Sequence, residues 1–186
     1  EAVDPKDFKV MMGVERYGSR SDSFDKIISA THDHFWDPLD TKYIDFSPSF
    51  DLENEYLIDP DIYPELKTAI GEKLNEKEKI RLVNLDVCWS LSSILHGEQG
   101  ALNLSSSLCH ILKDPGAQEY VANQTREEAR HVSAFSLYIK NRWGRPMQVG
   151  KPLGDLLDEL VEGLKTIANG NATEPSVLVR DCSTTV

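Results

Sequence analysis

The chain predicts an all-α fold, a helical bundle core preceded by an irregular, aromatic-rich N-terminal segment. Apolar residues recur at three- and four-residue spacing through two long runs, RLVNLDVCWSLSSILHGEQGALNLSSSLCHIL and AQEYVANQTREEARHVSAFSLYIKNRW, in which Glu, Leu and Ala outweigh β-branched residues. The stretch from Thr31 to Pro64 instead combines aromatics with Pro38, Pro48, Pro60 and Pro64 and holds no sustained period. A length of 186 residues suits one core without a disulfide staple. The expected division is an N-terminal arm and wrapping segment over 1–63, a helical core over 64–169 and a C-terminal tail over 170–186.

In chain order, residues 1–23 are polar, with Gly13 and Gly18 interrupting any helical pattern, which predicts an extended or loosely ordered arm. Ser23 suits the cap of a short helix reaching about Thr31, with Phe24, Ile27 and Ile28 as its apolar edge. The aromatic stretch is too apolar to float, so it should wrap the bundle with Phe35, Trp36, Tyr43, Phe46 and Phe50 as anchors. His32 and His34 alternate like strand neighbours and lack an acid at helical spacing, so they read as surface or locally hydrogen-bonded groups. Pro64 fits the first turn of a helix through about Leu74. Asn75 and Glu78 then form a capping-box signal for the first long helix, which should run to about Leu112. Its inward face should include Leu91, Ile94 or Leu95, Glu98, Ala101 or Leu102, Ser105 and Cys109.

Lys113-Asp114-Pro115-Gly116 breaks the run, with Asp114 as the cap and Pro115 in the first turn of the second long helix. Gln124, Glu128, His131, Phe135 and Tyr138 form one stripe on that helix, and Gly144 before Pro146 supplies a left-handed stop. A third helix should span Gly154 to about Asn169 on a stripe of Leu153, Leu156, Leu157, Leu160, Val161, Leu164 and Ile167. Glu162 lies near that stripe, as its polar edge or as an additional acid ligand. The tail from Gly170 reads as a docked strand or a frayed end.

The net charge of −11 and the absence of a Lys/Arg stripe argue against a nucleic-acid partner. Cys88, Cys109 and Cys182 are too few and too far apart for a disulfide framework or a zinc motif, and suit reduced thiols of a cytoplasmic protein. No signal-peptide pattern and no apolar run of membrane-spanning length is visible, so no membrane partner is expected. Asn-x-Ser/Thr triplets at Asn103, Asn123 and Asn171 are too common to carry weight, and the first two fall in helices.

The chemistry lies in the two long runs. Glu98 is fifteen residues before Lys113 and Glu128 fifteen residues after it, so an antiparallel hairpin folded at the break brings the two carboxylates to about the same depth. His131 follows Glu128 at i+3, and one glutamate facing a Glu-x-x-His pair is half of the ligand set of a carboxylate-bridged dimetal bundle. Glu127 sits at i−4 from His131 and competes for the inward position; Glu128 is favoured because it shares the stripe with Phe135 and has the bundle spacing. Gly97, Gly100, Ala101 and Ser105 to Ser107 lower helix propensity around Glu98, which fits a close approach, a cavity or a kink beside the carboxylate. Carboxylate oxygens with one imidazole per ion select iron or manganese over thiolate-preferring metals. The bland alternative is that both acids face solvent and His131 is a hydrogen-bonded core residue.

HGEQGA at 96–101 and REEARHVSAFSLYIKNRWG at 126–144 resemble the ferritin-like di-iron carboxylate superfamily, nearest to its ribonucleotide-reductase small-subunit-like and aryl-amine N-oxygenase-like oxidoreductases. The resemblance covers about Asp22 to Leu160. It implies a ferritin-like bundle with Glu98 as the first-helix acid and Glu128 and His131 as the second-helix pair. It further implies a two-iron centre, dioxygen and a small organic substrate as partners, and an electron donor that the sequence does not identify. The superfamily repeats the ligand pattern on a third and fourth helix, whereas no second Glu-x-x-His follows His131 here. Two explanations stay open: a missing second half, or a homodimer in which each chain donates Glu98, Glu128 and His131 across a two-fold axis. Ferritin-like iron handling and a non-catalytic helical scaffold are the competing functional expectations.

Overall fold

The computed structural model describes residues 9–168, and every regular element among them is helical. Its α-helices are α1 (Val14–Tyr17), α2 (Asp25–Asp33), α3 (Glu76–Ile111), α4 (Pro115–Trp143) and α5 (Lys151–Ala168), with single 3-10 turns at Val10–Met12, Pro60–Ile62, Pro64–Lys67 and Gly71–Lys73. None of the described helices is long and apolar enough to cross a membrane. The Ile167 side chain, Cys182, Asn171 and the tail over 170–186 lie outside the described residues.

The start of α3 is the predicted capping box: Glu78 N–H donates to Asn75 Oδ1 at 3.1 Å, and Asn75 N–H donates to the Glu78 carboxylate at 2.8 Å. Asp114 opens α4 as predicted, its Oδ1 accepting from Ala117 N–H at 2.7 Å. Gly144, with φ of 81°, closes α4 in the left-handed region, its N–H bonded to the Lys140 carbonyl at 3.0 Å. α5 begins three residues earlier than Gly154, and Leu156 and Val161 of its expected stripe are exposed while Leu153, Leu157, Leu160 and Leu164 are half-buried.

Contacts group the described residues into two compact units, one of residues 9–36, 97–130 and 151–168 and one of 37–96 and 131–150, and the division falls within α3 and α4. In the first unit the arm is not loose. Arg16 Nε donates to the Lys113 carbonyl at 2.6 Å and its Nη2 to Gln118, while Arg20 pairs with Glu119 at 2.8 Å and Ser21 N–H donates to Asp114 Oδ2 at 3.0 Å. Residues 9–23 therefore brace the α3–α4 turn, because the arginines find carbonyl and acid acceptors that only folding brings near. Gly116 is needed there, since a Cβ would collide with the Ser21 carbonyl. Ser23 does not cap α2: Phe24 holds the cap position without a side-chain bond, and Ser23 N–H turns to Ser21 Oγ at 3.3 Å. Phe24 stacks on Tyr120 at 5.0 Å, and Thr31 and Asn123 bond at 2.8 Å, tying α2 to α4.

In the second unit the buried face of α3 runs through Ile80, Val83, Asn84, Cys88, Ser92 and Leu95. Leu95 takes the inward position and Ile94, 44% exposed, does not. Burial pushes the Cys88 thiol up from its ordinary value, as suits a structural thiol. Asn84 clamps the irregular segment: its Oδ1 accepts from Leu57 N–H at 3.0 Å, and its Nδ2 donates to the Leu52 and Glu55 carbonyls at 2.9 and 2.8 Å. Arg142 adds a second hold, its guanidinium over the Phe50 and Tyr138 rings and bonded to the Pro48 carbonyl. The anchors differ in part from expectation. Tyr43 is exposed and Phe46 and Phe50 are half-buried, whereas Tyr63, bonded through its hydroxyl to Asp86, is buried. The predicted helix over Pro64–Leu74 is two 3-10 turns, because Thr68 is extended and Gly71 packs onto the Glu65–Leu66 backbone where a continuing helix has no room.

Replacing Asn84 with Ala strips partners from three backbone groups and is expected to lower stability by about 2–3 kcal/mol; a urea midpoint equal to that of the parent chain would show that the segment holds without the clamp. Asp114 carries a pH signature. The Ala117 N–H holds its carboxyl below the ordinary 3.8, against the opposing effect of desolvation. A lowered folded-state pKa means that this stabilisation is complete above the unfolded value and is lost as pH falls through the folded value. The difference in Tm between the parent chain and Asp114→Ala should thus be present at pH 7 and shrink steadily below pH 3.8.

Candidate metal centre

The site is built from the phase of α4. Beyond its first turn, Val121, Glu128 and Ile139 are its buried residues, spaced so that Gln124, His131 or Val132, and Phe135 fall between them on the same side. The stretch Arg126-Glu127-Glu128-Ala129-Arg130 places two cations and two acids within five residues, and the structure separates them. Both arginines go to Glu127: Arg126 Nη2 lies 3.0 Å from Oε1 and Arg130 Nη1 lies 2.8 Å from Oε2. The Arg130 guanidinium also rests 4.6 Å from the centre of the Phe35 ring, which is half exposed and covers the cation instead of anchoring in a core. Glu127 is thereby neutralised by its neighbours.

Glu128 turns the other way and is 7% exposed. That burial removes the reading in which this acid faces water; the Glu127 side chain, 13% exposed, is nearly as buried but is held by the two arginines. A buried carboxylate needs hydrogen-bond or charge partners to offset its lost hydration. One is Gln124, a turn earlier on α4, whose side-chain amide donates to Glu128 Oε1. Sequence reading placed Gln124 on the stripe without giving it a role; the signal was the Gln-x-x-x-Glu spacing, which sets an amide and an acid on one helix face.

Glu98 is half-buried on α3, and the structure brings one potential ligand atom from each of Glu98, Glu128 and His131 to within 4.8 Å of one another. Among the described residues this is the one group of three or more His, Cys, Asp or Glu side chains so arranged. Glu162 is exposed and stands outside it, as do His32 and His34. His34 Nδ1 instead lies 2.8 Å from the Ala30 carbonyl of its own helix.

The glycines beside Glu98 divide in function. A Cβ at Gly100 would collide with the Leu157 side chain, so that glycine admits α5 against α3. Gly97 has no atom within 4 Å of the position its Cβ would take, so a surface without side-chain cover adjoins Glu98. α3 is continuous through both residues.

The arrangement offers hard oxygen donors from two carboxylates and one borderline nitrogen, a set suited to iron or manganese. No family model, curated protein or solved structure matches this chain, so the chemistry of the cluster rests on its own geometry.

Proposed function

We propose that Glu98, Glu128 and His131 are half of the ligand set of a two-ion carboxylate-bridged centre, iron with manganese as the alternative. On this reading the chain is an oxygen-dependent oxidoreductase of the ferritin-like di-iron type, acting on a small organic substrate. The observation that carries it is the convergence of these three ligand atoms within 4.8 Å around a Glu128 that is almost fully buried.

The donor set fits the group. Glu98 and Glu128 each offer two oxygens, enough to bind one ion and bridge to a second, and their charge offsets the repulsion between ions. The helix holds His131 at i+3 from Glu128, where a neutral ring nitrogen is a terminal ligand. Gly97 leaves the α3 surface beside Glu98 open for a small molecule or a second chain. When bound, a two-iron centre supplies the reduction of dioxygen that such oxidations need. The residues of this chain hold and orient that centre, and an external donor provides electrons.

A complete two-ion set takes four carboxylates and two histidines. The described residues provide one half, so the reading extends to a homodimer that presents the same patch twice across a two-fold axis. Elemental analysis after anaerobic loading with ferrous iron should find about one ion per chain in a dimeric species. Replacement of both Glu128 and His131 by Ala should abolish stoichiometric binding. The same iron content in that double variant would refute the site, and a loaded protein that sediments as a monomer would refute the shared centre.

A further inference from the structure

We infer that Gln124 is a positioning residue for Glu128, an electrically neutral hydrogen-bond donor that fixes the plane of the carboxylate for a divalent cation. This rests on the metal-site reading above.

Three adjacent polar side chains on α4 have different assignments. Asn123 bonds across to Thr31 of α2 at 2.8 Å, and Thr125 turns back to the Val121 carbonyl at 2.8 Å. Gln124 alone of the three reaches Glu128, through Nε2 to Oε1. An ionised carboxylate only accepts, so the amide must present its NH2 to Glu128, and that fixes which way the amide faces.

The choice of donor matters chemically. An Arg or Lys in this place would also satisfy the carboxylate, but its positive charge would repel an incoming cation and compete for the same oxygens. The two nearest arginines are committed to Glu127, whose side chain and that of Arg130 are both nearly buried. The segment thus gives its cations to the acid outside the cluster and an amide to the acid inside it. Hydrogen bonds to ligating carboxylates restrict their orientation, and their loss costs about 10–100-fold in metal affinity.

The test is titration of the apoprotein with Mn(II), together with the visible ligand-field spectrum of the Co(II)-loaded protein. Gln124→Met keeps the length and helix propensity of the side chain but removes the donor. It should weaken Mn(II) binding by about 10–100-fold at unchanged stoichiometry and shift the Co(II) bands. If Gln124→Met fails to fold, Gln124→Asn reads out the same loss, because it keeps polarity while shortening the reach by one methylene. Gln124→Lys retains a donor but adds a charge and should bind Mn(II) more weakly than the parent; parent-like affinity in that variant would overturn the argument for a neutral donor. Parent-like affinity and an unshifted spectrum in a folded Met or Asn variant would overturn the positioning role and leave the site standing. A parent protein that takes up no stoichiometric Mn(II) or Co(II) would instead overturn the site, and the positioning role with it.

Discussion

The short turn between α3 and α4 sets the register on which the cluster depends. With Ile111 ending one helix and Pro115 starting the next, few residues remain to absorb an error in length. Glu98 and Glu128 each lie about 20 Å along their helices from that turn, at 1.5 Å per residue. Adding one residue at the turn would slide one helix by a residue's rise or force a bulge, and the carboxylates would no longer meet at one depth. The turn is correspondingly well held: Asp114 caps α4, Gln118 Nε2 reaches back to the Cys109 carbonyl at 2.9 Å, and Arg16 and Ser21 of the arm bind the turn from outside. Gly116 lets the arm approach closely enough to do so.

The second constraint is electrostatic, and it is solved within five residues of α4. Adjacent glutamates project about 100° apart on a helix, so only one can face the cluster. Whichever turns outward must be compensated where it lies. Arg126 and Arg130 flank the pair at positions from which both reach Glu127, and Phe35 shields the more buried guanidinium. If either arginine bonded Glu128 instead, the inward acid would be neutralised before any cation arrived. The separation of these charges is as much a feature of the candidate site as the ligands are.

Local signals account for what was legible in the sequence. The two long helices, the Asn75–Glu78 box, the Asp114 cap, the Gly144 stop and the meeting of Glu98 with Glu128 and His131 follow from period, cap chemistry and counting. What was not legible depends on partners distant in the chain. Asn84 looks like any polar residue on a helix until three backbone groups from 52–57 arrive at it. Pro64 does start a helical turn, but Thr68 and the crowded approach of Gly71 stop it from lengthening, and no propensity scale sees that approach. The arm looked loose because its acceptors are main-chain carbonyls and amide or acid side chains ninety or more residues away. Gly100 was legible as a concession of helix stability, but its beneficiary, Leu157, was not.

Charge balance links the proposed centre to the proposed dimer. With His131 neutral, each half-set carries two negative charges from Glu98 and Glu128, and one divalent ion cancels them. Two chains brought together through this patch without metal would set four carboxylates against one another at short range, in a medium that screens them less than water does. Such groups respond by taking up protons or by staying apart. Ions remove the repulsion, so metal binding favours association, and association raises metal affinity by the same factor, because the coupling between two binding equilibria is reciprocal. A neutral donor at Gln124 preserves that coupling, whereas a fixed cation in its place would halve the negative charge of the patch in each separate chain and weaken the dependence of the dimer on its ions. The identity of one side chain outside the ligand set therefore bears on whether assembly and metal loading are one event or two.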